Sequence, residues 1–225
     1  MPMAARVYWR GWSESRLASF QGDQGSSNHC AKFASSSCLN LLYGLNLEGG
    51  RLASWVEGRS LRGTGRFTIW GNHNGSLVYQ TANLVRALAR TAGLSPRVES
   101  SRMDAKTLVS QLRDRRSLAL VSLTYLEGKE PLIARGGSTV SSLGPARLVG
   151  GHIMIPAAFD PGHRDQGGRS TPWGFLSSWG AGDQLYWMCA GEFRRTWGRL
   201  SLFNTVTVSI SPSISSLSWM MGASS

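Results

Sequence analysis

Apolar residues recur at helical spacing through most of the first half of the chain. The pattern predicts a helix over Cys30–Tyr43, with Gly44 as its stop signal, and an amphipathic helix within residues 76–93. It predicts a third helix over Ala105–Arg113, for which Asp104 is the expected N-cap. The first of these helices has small side chains and almost no charge, which is typical of a helix buried between other elements.

The remaining stretches of the first half carry weaker signals. Residues 1–23 are expected to form an extended surface segment with intermittent aromatic anchors. The glycine-rich residues 48–74 predict a loop that contains one or two short helices. The Gly- and Ser-rich residues 128–150, which open the second half, predict another loop.

Apolar runs in the second half predict β-strands. The predicted strands are residues 98–100, 117–125, 151–159, 173–179 and 204–210, and residues 185–198 fit a strand or a short helix. A helical first half followed by a β second half indicates an α+β protein. We expect one domain over residues 1–210, with a helical lobe at about 15–115, a β lobe at about 116–210 and a loosely held Ser-rich tail at 211–225.

The charge of the chain bears on its partners. A formal net charge of +11 favours non-specific attraction to nucleic acid, anionic lipid or acidic substrates. The 24 Lys and Arg residues are scattered, however, and the densest groups are residues 113–116 and 194–195. No nucleic-acid-binding motif accompanies them, so no specific nucleic-acid partner is expected.

The chain has no run of about 18 apolar residues, and its first ten residues lack the apolar core of a signal peptide. We therefore expect no membrane span and, by default, a cytoplasmic location. The cysteines Cys30, Cys38 and Cys189 are odd in number and form no C-x-x-C pair, which argues against a disulfide framework or a cysteine zinc site. Cys38 is expected to be a core residue.

The stretch from Gln24 to Cys30 has the features that a thiolate nucleophile needs. Cys30 begins a predicted helix, where unpaired backbone N–H groups and the positive end of the helix dipole favour the thiolate. The polar residues 26–28 are expected to cap this helix. Gln24, six residues upstream, can donate a side-chain N–H to a developing oxyanion, and Gln21 is the alternative donor. Most free cysteines are structural, so the hypothesis also requires a base.

His152 is the predicted base. His29 adjoins Cys30 in sequence, and neighbouring side chains at a helix start diverge, while His73 and His163 lie in polar loops and are expected to be solvated. His152 opens an apolar strand directly after two glycines, where close backbone approach is possible. An imidazole at the mouth of a strand is well placed to serve a nucleophile on another element.

Three blocks of this sequence resemble those of papain-like cysteine peptidases. Residues 24–34 are similar to that family's Gln-Gly-Ser-x-x-x-Cys-x-x-Phe-Ser/Ala block, with Cys30 at the cysteine. Gly151 and His152, followed by an apolar strand, are similar to the histidine strand, and residues 175–180 resemble the apolar-apolar-Asn-Ser-Trp-Gly strand. The blocks occur in the family's order over roughly residues 15–200. The chain is closest in style to the bacterial C39-like, bacteriocin-processing peptidases.

The resemblance implies a fold and a reaction. A helical lobe carrying Cys30 would pack on an antiparallel β lobe carrying His152. Cys30 would attack a peptide or amide carbonyl of a peptide or protein substrate to form a thioester, His152 would transfer the proton, and Gln24 would bind the oxyanion. The resemblance also implies that Trp179 shields the histidine from water, and it implies no metal and no organic cofactor.

One position departs from the family. Ser177 stands where the family has its third catalytic residue, Asn or Asp, and a serine reaches less far and carries no charge. Either Ser177 orients His152, or Asp160 at the end of the histidine strand does so, although Asp160 also fits a simple turn before Pro161. A weakened site would leave a papain-fold binding module. The same Cys and His would also serve a papain-fold acyltransferase or amidase.

Overall fold

The chain forms six α-helices and nine strands over the residues that its computed structural model describes, which are 5–25, 27, 29–60, 76–126, 129, 131–135, 138–140, 149–180, 182–198 and 202–211. The helices are α1 (Glu14–Ala18), α2 (Cys30–Tyr43), α3 (Gly49–Ser60), α4 (Val78–Thr91), α5 (Ala105–Arg113) and α6 (Ala190–Thr196). The strands are β1 (Val7–Tyr8), β2 (Arg97–Ser101), β3 (Ser117–Leu126), β4 (Ile133–Arg135), β5 (Ser138–Val140), β6 (Val149–Phe159), β7 (Trp173–Leu176), β8 (Tyr186–Met188) and β9 (Thr205–Ser209).

All nine strands belong to one antiparallel sheet. Their order is β2-β9-β3-β6-β7-β8-β4-β5, and β1 pairs with the end of β6. The long central strands β3 and β6 pair so that His152 lies opposite Leu123. The predicted α+β class is confirmed. The predicted strands at 117–125, 151–159 and 204–210 are confirmed with end shifts of one or two residues.

Helix α2 lies against the centre of this sheet and contacts β6 and β3, while α3 and α4 pack on its other sides. Its small side chains allow this burial, and Cys38 is buried as expected. The approach of α3 to α2 is close, because a Cβ added to Gly49 would lie 2.5 Å from the Phe33 ring. Gly44 ends α2 in the left-handed conformation, with φ of 69°.

Several segments differ from the sequence-based expectations. Residues 5–23 are not simply extended, because they contain β1, a single 3₁₀ turn at Trp9–Gly11 and α1. Residues 128–150 contain β4, β5 and the start of β6, since strands of three residues are too short to show a period of two. Residues 185–198 form both a strand, β8, and a helix, α6. The two lobes are not purely helical and purely β, because β2 joins the sheet beside β9.

Some predictions concern residues that the structure does not describe. Residues 61–75, which include His73, lie outside the described residues, as do residues 212–225, most of the predicted Ser-rich tail. Among the helices that are described, none combines the length and the apolar character needed to cross a bilayer.

Candidate active site

Cys30 is the first residue of α2, at the end of the helix that meets the sheet. His29 is the N-cap residue, and its side chain makes no capping hydrogen bond. The expectation that Ser27 caps the helix is wrong, because its hydroxyl donates to the Gln24 carbonyl instead. Ser26 and Asn28, the other predicted caps, lie outside the described residues. The first-turn amides of Cys30 and Ala31 point towards the Cys30 sulfur, where both act to lower its pKa.

The Cys30 thiol is buried beside the histidine strand. Burial raises the pKa of the thiol, and the backbone N–H of Ile153, the charge of Lys32 and the amide of Ala31 oppose that rise. Ile153 directly follows His152 on β6, so the sulfur lies against the backbone that carries the predicted base. Lys32 is itself fully buried in α2. The site thus places positive potential near a sulfur that is otherwise desolvated.

His152 is held by a hydrogen bond and by an aromatic stack. Its Nε2 lies 3.0 Å from the hydroxyl oxygen of Ser177. Its ring stacks on the indole of Trp179, with ring centroids 4.1 Å apart and planes inclined by 17°. The imidazole is 3% exposed, and this burial lowers its pKa to about 3. His152 is therefore neutral at physiological pH and fixed in one orientation.

The Cys30 sulfur lies beside the backbone next to His152, but the two side chains are not hydrogen-bonded to each other. Among the hydrogen bonds of the described residues, none links the Cys30 sulfur to a His152 nitrogen. With Nε2 bound to Ser177, the free nitrogen of the ring is Nδ1. Catalytic hydrogen bonds are often loose without substrate and tighten in the substrate complex, so this geometry is compatible with a nucleophile and its base.

Gln24 is tied to the residue that follows Ser177. Its backbone N–H donates to the Ser178 carbonyl at 2.8 Å, and its side-chain oxygen accepts from the Ser178 hydroxyl. Its side-chain Nε2 donates to the carbonyl of Ser27. One amide proton of Gln24 is thus engaged, and the second is the one left for an oxyanion.

Gln21, the alternative oxyanion donor, is tied to Ser177 itself. Its side-chain oxygen accepts from the Ser177 backbone N–H at 3.2 Å, and its Nε2 donates to the Gln184 carbonyl at 2.9 Å. Gln21 is buried. It therefore spans between the strand end that carries Ser177 and the loop before β8. Sequence reasoning missed this tie, because nothing in the residues next to Gln21 indicates a partner 156 positions away.

Asp160 does not orient His152. Eight residues of extended chain separate the two, which is roughly 26 Å at about 3.3 Å per residue. The Asp160 carboxylate forms an ion pair with Arg6, at 3.1 Å, and accepts the Gly162 backbone N–H. The turn interpretation of Asp160 is therefore the correct one, and the Asp160 alternative is wrong.

Two other histidines, His29 and His163, are described, and their surroundings differ from those of His152. His163 is not simply solvated, because its ring stacks on Trp187 at 3.7 Å and its Nδ1 lies 2.8 Å from the Thr171 hydroxyl. His29 precedes Cys30 as the N-cap residue. Neither shares the Ser177 and Trp179 surroundings of His152.

The described part of the chain contains no cluster of residues that could bind a metal ion. No group of three or more His, Cys, Asp or Glu residues there is arranged to hold a metal ion.

In comparisons with known proteins, no protein-family model matches this chain, and no curated protein matches it significantly.

Proposed function

We propose that this protein is a papain-like cysteine peptidase that hydrolyses peptide or amide bonds, with Cys30 as nucleophile and His152 as base. The observation that carries the proposal is the fixed imidazole of His152, whose Nε2 lies 3.0 Å from Ser177 Oγ and whose ring stacks on Trp179. The next residue of the same strand, Ile153, directs its backbone N–H to the Cys30 sulfur. His163 has the same two kinds of support, from Thr171 and Trp187, so what distinguishes His152 is its position beside Cys30. The cysteine at a helix start beside the same strand supplies the matching nucleophile.

The geometry supports a sequence of proton transfers through the second ring nitrogen. With a proton on Nε2 and donated to Ser177, Nδ1 carries a lone pair. Nδ1 takes the Cys30 proton as the sulfur attacks the substrate carbonyl, and returns it to the leaving amine as the carbon–nitrogen bond breaks. His152 then deprotonates the water that attacks the thioester, and the proton ends on the released Cys30 sulfur.

The resting pair is neutral. Burial raises the pKa of Cys30 and lowers the pKa of His152 to about 3, so both favour thiol and imidazole over thiolate and imidazolium. The ion pair therefore forms only as substrate binds, when the amide of Cys30 and the free Gln24 N–H can stabilise the negative charge on the carbonyl oxygen. Ser177 is uncharged, so it stabilises the imidazolium through a neutral hydrogen bond and not through a negative charge, in contrast to an aspartate.

A labelling experiment tests the site directly. A peptidyl epoxide should alkylate Cys30 alone, as mapped by peptide mass spectrometry, and His152→Ala should abolish the labelling. Cys38 is a buried internal control, and the partly exposed Cys189 reports general thiol reactivity. Labelling of Cys30 no faster than Cys189, or labelling unaffected by loss of the imidazole, would contradict the proposal.

Product analysis distinguishes a peptidase from the two alternative functions, an acyltransferase and a binding module. Incubation with a mixed peptide library should give new amino termini that depend on Cys30 and His152. Products formed only when an added amine such as hydroxylamine is present would instead indicate an acyltransferase. Tight peptide binding with neither product would indicate a binding module.

A further inference from the structure

Arginines that are far apart in sequence meet at one edge of the molecule. We define the basic edge by five residues: Arg10, Arg16, Arg113, Arg115 and Arg116. Four of these side chains are exposed, and Arg10 is half-buried. The last three lie at the end of α5 and in the turn before β3, whereas Arg10 lies in the N-terminal 3₁₀ turn and Arg16 in α1.

Specific contacts bring the two groups of arginines together. Arg10 Nε donates to the Arg115 carbonyl at 2.9 Å, and the buried Trp9 indole donates to the Ser117 carbonyl at 2.9 Å. Arg16 lies over the Trp12 ring at 3.9 Å, and Arg10 lies 5.5 Å from the centroid of the same ring. The charge of Arg16 contributes to lowering the pKa of Arg10, after burial. These contacts make one positively charged surface out of two sequence segments.

The guanidinium groups of this surface are not paired with carboxylates of the described residues. None of the five guanidinium groups forms an ion pair with a described Asp or Glu. Asp114 lies within the edge, but its oxygens accept from the Arg116 backbone N–H and the Ser117 hydroxyl. Glu14 is turned to β8, where it accepts from the Leu185 backbone. The edge therefore carries five positive charges against the one negative charge of Asp114, and clustered net positive charge is the electrostatic footprint of a polyanion site.

The basic edge is separate from the candidate active site. Arg10 donates to the carbonyls of Leu41 and Leu42 at the C-terminal end of α2, whereas Cys30 begins the same helix. Twelve residues of helix at about 1.5 Å per residue put roughly 18 Å between the two ends. Occupation of the edge therefore leaves the Cys30 end of the helix open.

We propose that the basic edge binds the phosphate backbone of a nucleic acid, without sequence specificity. All five cations are arginines, whose planar fork matches phosphate oxygens bidentately. An anionic membrane is a poorer fit, because the large apolar side chains exposed among the described residues lie outside residues 9–19 and 113–117, so no apolar anchor accompanies the charge. This inference does not depend on peptidase activity.

The binding experiment uses the full chain and a fluorescein-labelled, mixed-sequence 20-base-pair DNA duplex, followed by fluorescence anisotropy. Contacts from the four exposed arginines predict a slope of log K against log salt near −3.6, or about a 150-fold loss of affinity between 50 and 200 mM salt. Arg115→Gln with Arg116→Gln should reduce the slope to about −1.8, or about a 12-fold loss over the same range.

A charge-matched variant provides the control. Arg164→Gln with Arg194→Gln removes the same charge from two exposed positions elsewhere and should leave the slope within about 0.5 of the unmodified chain. Equal slopes in the two double variants would overturn the proposal, since binding would then follow net charge alone. Binding of poly-glutamate or of phosphatidylserine vesicles that needs Arg115 and Arg116, with no duplex binding, would also overturn it.

Discussion

Ser177→Ala is the substitution that most directly tests the candidate site. The change removes the hydroxyl that lies 3.0 Å from His152 Nε2 and leaves that nitrogen without its partner. The imidazole is 3% exposed, so water does not readily replace the hydroxyl. We expect the ring to lose its preference for the tautomer that leaves a lone pair on Nδ1, and peptide hydrolysis to slow in proportion.

The size of the effect follows from the surroundings of the ring. A buried polar group that loses its hydrogen-bond partner costs about 1–3 kcal/mol. The stack on Trp179 remains and continues to hold the ring plane, which favours the lower part of that range. A loss of about 1–2 kcal/mol corresponds to a roughly 5- to 30-fold decrease in kcat/KM. A charged partner would give a far larger loss, of about 10⁴-fold, because it also stabilises the imidazolium.

Two measurements on the same variant separate orientation from folding. Hydrolysis of a peptide substrate gives kcat/KM, and long-range ¹⁵N NMR of His152 reports its tautomer independently of activity. Ser35→Ala is the matched control, since it removes a buried hydroxyl on α2 that donates to the Ala31 carbonyl within its own helix. An unchanged tautomer and a kcat/KM within twofold of the unmodified protein would refute the role given to Ser177. A decrease in kcat/KM of more than about 10³-fold would refute the argument that Ser177 acts on His152 as an uncharged hydrogen-bond partner.

Three further outcomes are expected. Gly49→Ala should destabilise the fold by about 1–3 kcal/mol in urea titrations, because its Cβ would strike α2, whereas Gly50→Ala meets open space and should be neutral or slightly stabilising. The pKa of His152 is about 3 in the folded chain, below the unfolded value near 6.5, so stability is lost as pH falls below 6.5. The loss is about 2 kcal/mol at pH 5, and His152→Gln should remove it, as measured by denaturation at each pH. Gln21→Ala should lower kcat/KM, but much less so in the Ser177→Ala background, and additive losses would contradict the tie between the two residues.

The sequence predicted the elements whose apolar pattern is long. Cys30–Tyr43 and Ala105–Arg113 have the predicted bounds, because a helix of several turns repeats its period and carries a stop signal or a cap. The central strand β3 was predicted to within one residue for the same reason. The strands β4 and β5 were missed, since three residues give no measurable alternation and their pairing partners are remote.

In the candidate site, too, local sequence signals predicted some features, whereas contacts between remote residues could not be predicted. The position of Cys30 at a helix start could be inferred locally. The expectation that His152 opens its strand is wrong, because β6 begins at Val149 and includes both glycines, which makes His152 its fourth residue. The tie between Gln21 and Ser177 could not be inferred locally, because 156 residues separate its two ends. Asp160 was a reasonable local alternative that failed on distance, which only the course of β6 reveals. Sequence proximity favoured Asp160, whereas the sheet brings the remote Ser177 to the imidazole.

The two glutamine ties explain how a serine can stand where a longer side chain is expected. Gln21 holds the backbone N–H of Ser177, and Gln24 holds both the carbonyl and the hydroxyl of Ser178. Gln21 and Gln24 precede Cys30 in the chain, and together they fix the backbone of Ser177 and Ser178 close to His152. The short Ser177 side chain therefore lies 3.0 Å from the imidazole Nε2. The same contacts link the segment before the proposed nucleophile to Ser177, the proposed orienting residue of His152. Displacement of Gln24 is therefore expected to disturb the proposed oxyanion donor and His152 together, so the candidate site should respond as one unit.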